Sequence, residues 1–132
     1  MKLVIGGCFQ GKLDYVLKTY KLEDCFILEQ ELPGITLLPK EVNQKKTIIM
    51  KHFHVWVKRN LEQGKNPEPE ILDFVNKNPD CIIISDEIGN GIVPIDPFER
   101  EYRERTGRVL IKLAEQADEV IRVICGIGQK IK

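Results

Sequence analysis

Nowhere in the chain does an apolar run approach the roughly 20 residues a membrane-spanning helix needs, so no membrane span is expected. The four cysteines (Cys8, Cys25, Cys81 and Cys125) lack any Cys-x-x-Cys spacing. With no secretory leader at Met1-Lys2-Leu3, they fit a reducing cytoplasm. Surplus charge is also missing: 20 lysines and arginines balance 20 aspartates and glutamates, so nothing global draws in nucleic acid or an anionic membrane. Aromatics are few, 7% of residues against 42% hydrophobic and 30% charged, which is the balance of an ordinary α/β or helical protein and not of a disordered or fibrous one. There is no internal repeat and no low-complexity segment. At 132 residues, a single domain over 1–132 is expected. It is long enough to bury roughly two-thirds of its unfolded surface.

What is present begins with Ile5-Gly6-Gly7-Cys8-Phe9-Gln10-Gly11-Lys12-Leu13, a glycine-rich turn between an apolar run and a helical pattern. Gly6 and Gly11 bracket four residues and Lys12 follows. At this spacing backbone N–H groups can curl around a phosphate while the lysine supplies a point charge. The nucleotide-binding candidates are therefore Gly6, Gly7, Cys8, Phe9, Gln10, Gly11, Lys12 and Leu13. Where such a loop uses a Ser or Thr hydroxyl to hold Mg²⁺, this chain has Leu13, and no shift of register restores one.

Residues 2–5 read as a buried strand, and Leu13, Val16, Leu17 and Tyr20 recur at helical spacing after the loop. That places the loop between a strand and a helix N-terminus, where free N–H groups face an anion. Further strands are expected at 25–28, 47–50, 81–84 and 119–125, and Pro33-Gly34 marks a turn. Helices are expected from Phe53 to near Gly64, over 71–75 and from Glu99 to Ala117, with a loop at Asn66-Pro67-Glu68-Pro69. Gly107 interrupts the last helix at a cost of up to ~1 kcal/mol relative to alanine, which implies close packing or a bend. Gly126-Ile127-Gly128 reads as the exit from the final strand. Five strands alternating with helices argue for a parallel sheet covered on both faces.

Two more groups of residues carry chemistry. Asp86-Glu87, with Gly89 and Gly91, sits at a strand's carboxyl end, where open α/β sheets place ligands and a carboxylate could hold Mg²⁺ or position a nucleophile. Between Lys40 and Lys65, seven basic residues face two glutamates, a surplus that either favours a phosphorylated ligand or forms a solvated face. His52 and His54 form a His-x-His pair without further ligands at metal-site spacing, which reads as structural or surface-exposed.

Several stretches together carry a family resemblance. Ser85-Asp86-Glu87-Ile88-Gly89-Asn90-Gly91-Ile92-Val93-Pro94, Tyr102-Arg103-Glu104-Arg105-Thr106-Gly107-Arg108-Val109, Ala117-Asp118-Glu119-Val120 and Gly126-Ile127-Gly128-Gln129-Lys130-Ile131-Lys132 resemble the bifunctional adenosylcobinamide kinase/adenosylcobinamide-phosphate guanylyltransferase family of cobalamin biosynthesis. Gly6-Gly7 with Gly11-Lys12 is similar to that family's phosphate loop, and Trp56-Val57 with Asn60-Leu61 to its third strand and following helix. The resemblance implies an α/β, RecA-like P-loop NTPase fold in three layers on a mostly parallel five-stranded sheet. It also implies GTP or ATP as ligand, a corrinoid acceptor, homo-oligomeric assembly, and Lys12 and Glu87 as catalytic residues.

Departures from the family pattern bear on catalysis. Lys51 stands where the family places an acidic residue that helps hold Mg²⁺, and Leu110-Ile111 replace a polar pair. The family's guanylylated histidine falls in a central segment with no recognisable counterpart here, which leaves the guanylyltransferase half without its nucleophile. With Leu13 this leaves Mg²⁺ open and no metal ligand assigned. Three readings follow: a divergent kinase of cobinamide salvage, a catalytically degenerate nucleotide-binding or regulatory descendant, or a binder of a different phosphorylated metabolite.

Overall fold

The structure is a computed structural model that describes residues 1–29 and 46–132. Among these, β1 (Lys2–Gly6), β2 (Cys25–Glu29), β3 (Thr47–Lys51), β4 (Ile82–Asp86), β5 (Glu119–Ile124) and β6 (Ile127–Lys130) form one sheet in the order β2-β3-β4-β1-β5-β6. The first five are parallel, and β6 pairs antiparallel with β5. The expected parallel sheet is there, with β4 inserted between β1 and β3. The Pro33-Gly34 turn, Lys40 and Lys45 lie outside the described residues.

The central strands read as continuous apolar runs because both their faces are covered. Alternate side chains go to opposite cores. Leu3, Met50, Ile83 and Val120 join Phe53, Trp56, Ile71, Phe74, Val109 and Leu113 on one face. There they pack under α2 (Phe53–Glu62), α3 (Pro67–Lys77) and α4 (Pro97–Gln116). Val4, Ile49, Ile82, Ile84, Ile121 and Val123 face the other way and meet Val16 of the short helix α1 (Lys12–Leu17). This is the three-layer arrangement of a P-loop NTPase fold.

Three sequence expectations are corrected. The Asn66–Pro69 loop is the start of α3: Asn66 accepts a hydrogen bond from the Glu68 N–H at 3.2 Å, and Pro67 occupies the first turn, where its missing N–H costs nothing. Asp96 and Pro97 start α4 in the same way, with Asp96 accepting from the Phe98 N–H at 2.9 Å. Gly107 does not pack closely: α4 continues through it, and a Cβ there would meet nothing within 4 Å.

The sheet also has a sixth strand where an exit was expected. Ile124 pairs with Ile127 across a two-residue turn, Cys125-Gly126, both with positive φ (49° and 75°). That is the backbone of a tight hairpin whose twist suits the flanking strands.

The parallel register places the site. Gly6 at the end of β1 lies opposite Asp86 at the end of β4, and the Glu87 N–H donates to the Gly6 carbonyl at 3.0 Å. Lys51, at the end of β3, lies opposite Glu29 at the end of β2. The carboxyl ends of the central strands therefore share one edge, the edge at which α/β sheets bind ligands.

Candidate functional site

That edge carries a cavity of about 570 Å³. Its walls are residues 8–14 of the glycine loop and the start of α1, Lys51 and His52 where β3 passes into α2, and His54 and Asp86.

The loop's shape comes from its glycines. Gly6 has φ 156°, and a Cβ there would sit 2.4 Å from the Val123 carbonyl oxygen of β5. Gly11, the residue before α1, is left-handed at φ 76° and approaches the Gly126 backbone. Phe9, also with positive φ, is fully exposed. The β5–β6 turn braces the loop: Gln10 Oε1 accepts from the Cys125 N–H at 2.6 Å, and the Gly126 N–H donates to the Gln10 carbonyl at 2.9 Å. Gly128 completes the brace, since any side chain there would overlap the Tyr15 ring.

Lys12 is 7% exposed and turned inward. Its Nζ donates to the Gly7 carbonyl at 2.6 Å and the Gly6 carbonyl at 3.3 Å, and lies 2.7 Å from Asp86 Oδ1. Burial pushes the Asp86 carboxyl up, but the Lys12 hydrogen bond, the charges of His54 and Lys12, and a hydrogen bond from Cys8 outweigh it and hold Asp86 below the usual carboxylate range. Asp86 is thus an anion in the cavity wall, neutralised by the lysine of the loop.

Glu87, the other expected catalytic residue, is not among the residues lining this cavity. Its carboxylate pairs with Arg122 of β5 at 3.0 and 3.2 Å. Of the expected nucleotide-binding residues, Cys8 to Leu13 line the cavity, and Gly6 and Gly7 supply the carbonyls that hold Lys12.

His54 is the residue the sequence did not single out for function. Its Nδ1 accepts the Asp86 backbone N–H at 3.1 Å, so the neutral ring carries its proton on Nε2. Nε2 is 3.7 Å from Asp86 Oδ2, beyond hydrogen-bond reach. His52 precedes α2 with φ 56°, a left-handed turn that carries the chain from β3 to His54 along the cavity wall.

Burial lowers the His54 pKa below its ordinary 6.5, and the charges of His52 and Lys12 add to this against the pull of Asp86. A group depressed in the folded state stabilises fully above its unfolded pKa and loses that contribution as pH falls through the folded value. Urea unfolding is therefore expected to show constant stability from this group above about pH 6.5 and a decline below it. In His54→Gln, the part of the decline that sets in below about pH 6.5 should flatten. An unchanged slope would show that His54 does not titrate with folding.

The family profile described as cobinamide kinase / cobinamide phosphate guanyltransferase matches residues 26–131. The chain belongs to this family. It is 47% identical over 51 residues to the bifunctional adenosylcobalamin biosynthesis protein CobU of Salmonella typhimurium, a stretch covering 39% of this chain and 28% of that protein. It is 37% identical over 79 residues to the protein of the same name from Escherichia coli K12, covering 58% of this chain and 44% of that one. Each aligned stretch therefore spans less than half the length of the curated relative. The family match starts after the glycine loop, so the loop is identified by its own sequence and geometry.

A divalent cation travelling with a nucleotide asks for oxygen ligands. Position 13 offers an aliphatic side chain, and Lys51 offers an ammonium, paired with Glu29. Asp86 is held by Lys12, and Glu87 by Arg122. Among the described residues no three His, Cys, Asp or Glu side chains converge as a metal site would require. The donor set of the described residues does not fit a protein-held Mg²⁺. Nor, among the described residues, is any helix long and apolar enough to cross a membrane.

Proposed function

We propose that the cavity binds the phosphates of a nucleoside triphosphate, GTP or ATP, and that the protein acts in cobalamin biosynthesis by phosphorylating adenosylcobinamide. The observation that carries this reading is the meeting of Lys12 and Asp86 at the floor of the glycine loop, in a chain of the cobinamide kinase family. In this reading the loop amides and Lys12 take the β- and γ-phosphates, and Lys12 stabilises charge developing on the transferred group. The bond from the γ-phosphorus to its bridging oxygen breaks and releases the nucleoside diphosphate, a bond to the acceptor oxygen forms, and the hydroxyl proton passes to solvent water. Glu87 is paired with Arg122, and in this scheme it orients the acceptor hydroxyl only on leaving that partner.

A second reading is a degenerate, nucleotide-binding or regulatory member of the family. Leu13, Lys51 and the ion-paired Glu87 favour it, because each replaces or occupies a group that metal-assisted transfer uses. Transfer of labelled γ-phosphate from GTP or ATP to adenosylcobinamide separates the two. Turnover establishes the kinase, and binding without transfer establishes the degenerate form. Homo-oligomeric assembly is part of either reading and is measured by sedimentation.

A further inference from the structure

We infer that this site binds nucleotide phosphates without a protein-held divalent cation, with side-chain cations and a neutral histidine doing what a metal does elsewhere. The inference rests on the nucleotide reading above and specifies how that site handles charge. Its basis is the composition of the cavity wall. Positions 13 and 51 carry an aliphatic group and an ammonium, and both line the cavity.

Lys51 is the first substitute cation. Its present partner Glu29 is largely exposed, and such a pair is worth little against water and salt, so an incoming phosphate competes for the ammonium at small cost. Lys12 is the second. It already occupies the bottom of the loop, shared among two carbonyls and Asp86. His54 is the third contributor: with Nδ1 committed to the Asp86 N–H, its Nε2–H has no acceptor within hydrogen-bond reach among the described residues of the cavity it lines. Two ammonium groups and one neutral donor around a triphosphate neutralise part of its charge, and the described residues offer no set of oxygen ligands for a cation.

Calorimetric titration of the full chain with GTP and with ATP, once in EDTA and once in Mg²⁺, tests this. Binding constants within about threefold of each other in the two buffers are expected, a difference under about 0.7 kcal/mol. Lys51→Ala should weaken binding in EDTA by roughly tenfold. Lys51→Glu combined with Leu13→Ser should transfer the binding to a Mg²⁺-dependent mode, and Lys51→Ala alone serves if the double variant fails to fold. Binding that requires Mg²⁺, or is more than about tenfold tighter with it, overturns the inference and leaves the nucleotide reading standing. No binding in either buffer overturns both. The affinity of inorganic triphosphate, measured in EDTA, should fall in Lys51→Ala by the same factor as that of GTP; a loss confined to GTP overturns the assignment of Lys51 to the phosphates.

Discussion

Gly6→Ala is expected to cost on the order of 3–5 kcal/mol of stability, a large share of the total a domain of this size holds. The cause is geometric. The added Cβ would lie 2.4 Å from the Val123 carbonyl oxygen, an atom of the β5 backbone that cannot swing aside. Relief requires separating β1 from β5, the strands that carry the loop and its brace. The residue's φ of 156° adds strain that an L side chain meets wherever it points. Gly7→Ala is the control, because its Cβ would meet only the flexible Gln10 Cγ at 3.4 Å, and a loss below about 1 kcal/mol is expected. Urea unfolding of both variants measures the contrast. Equal, small losses would show that the close approach of β1 to β5 is not a constraint of the fold.

The strands were legible in the sequence because burial on both faces writes a continuous apolar run, as in residues 82–84, and five such runs with helices between them leave few topologies. The sixth strand was not. Its hairpin turn carries the signature backbone on Cys125-Gly126, whereas asparagine or aspartate before the glycine is the recognisable signal. The glycine loop was legible as a loop, since its spacing is a local property. What holds it is not: Gln10 reaches Cys125 across 115 residues, a contact no local pattern encodes.

The same reasoning explains the site. Lys12 was found from its motif, but nothing local paired it with Asp86: Asp86-Glu87 was read together as a possible Mg²⁺ or nucleophile-positioning group, and neighbouring residues of a strand end point in different directions. The register of β1 against β4 sends Asp86 to Lys12, and Glu87 goes to Arg122. His54 read as structural because a His-x-His pair lacks metal spacing. Its partner lies 32 residues away, on the backbone of β4. The basic middle segment divides along similar lines. Lys58 is taken up by Glu99 at 2.6 Å, and of the described lysines of that segment Lys51 is the one lining the cavity.

Lys12→Met is expected to lower nucleotide affinity by about 100-fold, or about 2.7 kcal/mol, and to destabilise the protein at the same time. The two losses have one origin. Methionine keeps the aliphatic stem but removes the charge, so the phosphates lose their cation and the Asp86 carboxylate is left in the cavity wall without it. Removing one partner of a buried pair costs about 3–5 kcal/mol; Asp86 is still 15% exposed, which brings the expectation down to about 2–3 kcal/mol. Asp86→Asn should separate the two effects. It leaves Lys12 its hydrogen bonds to the Gly6 and Gly7 carbonyls and removes the negative charge that a phosphate must approach, worth about 1 kcal/mol at 4 Å even in water. Binding in EDTA is therefore expected to tighten several-fold while stability falls, opposite signs in one variant. Titration calorimetry and urea unfolding on the same preparations read both. If Asp86→Asn weakens nucleotide binding instead, the carboxylate is holding a ligand or a cation, and its pairing with Lys12 is a resting arrangement of a metal-dependent site.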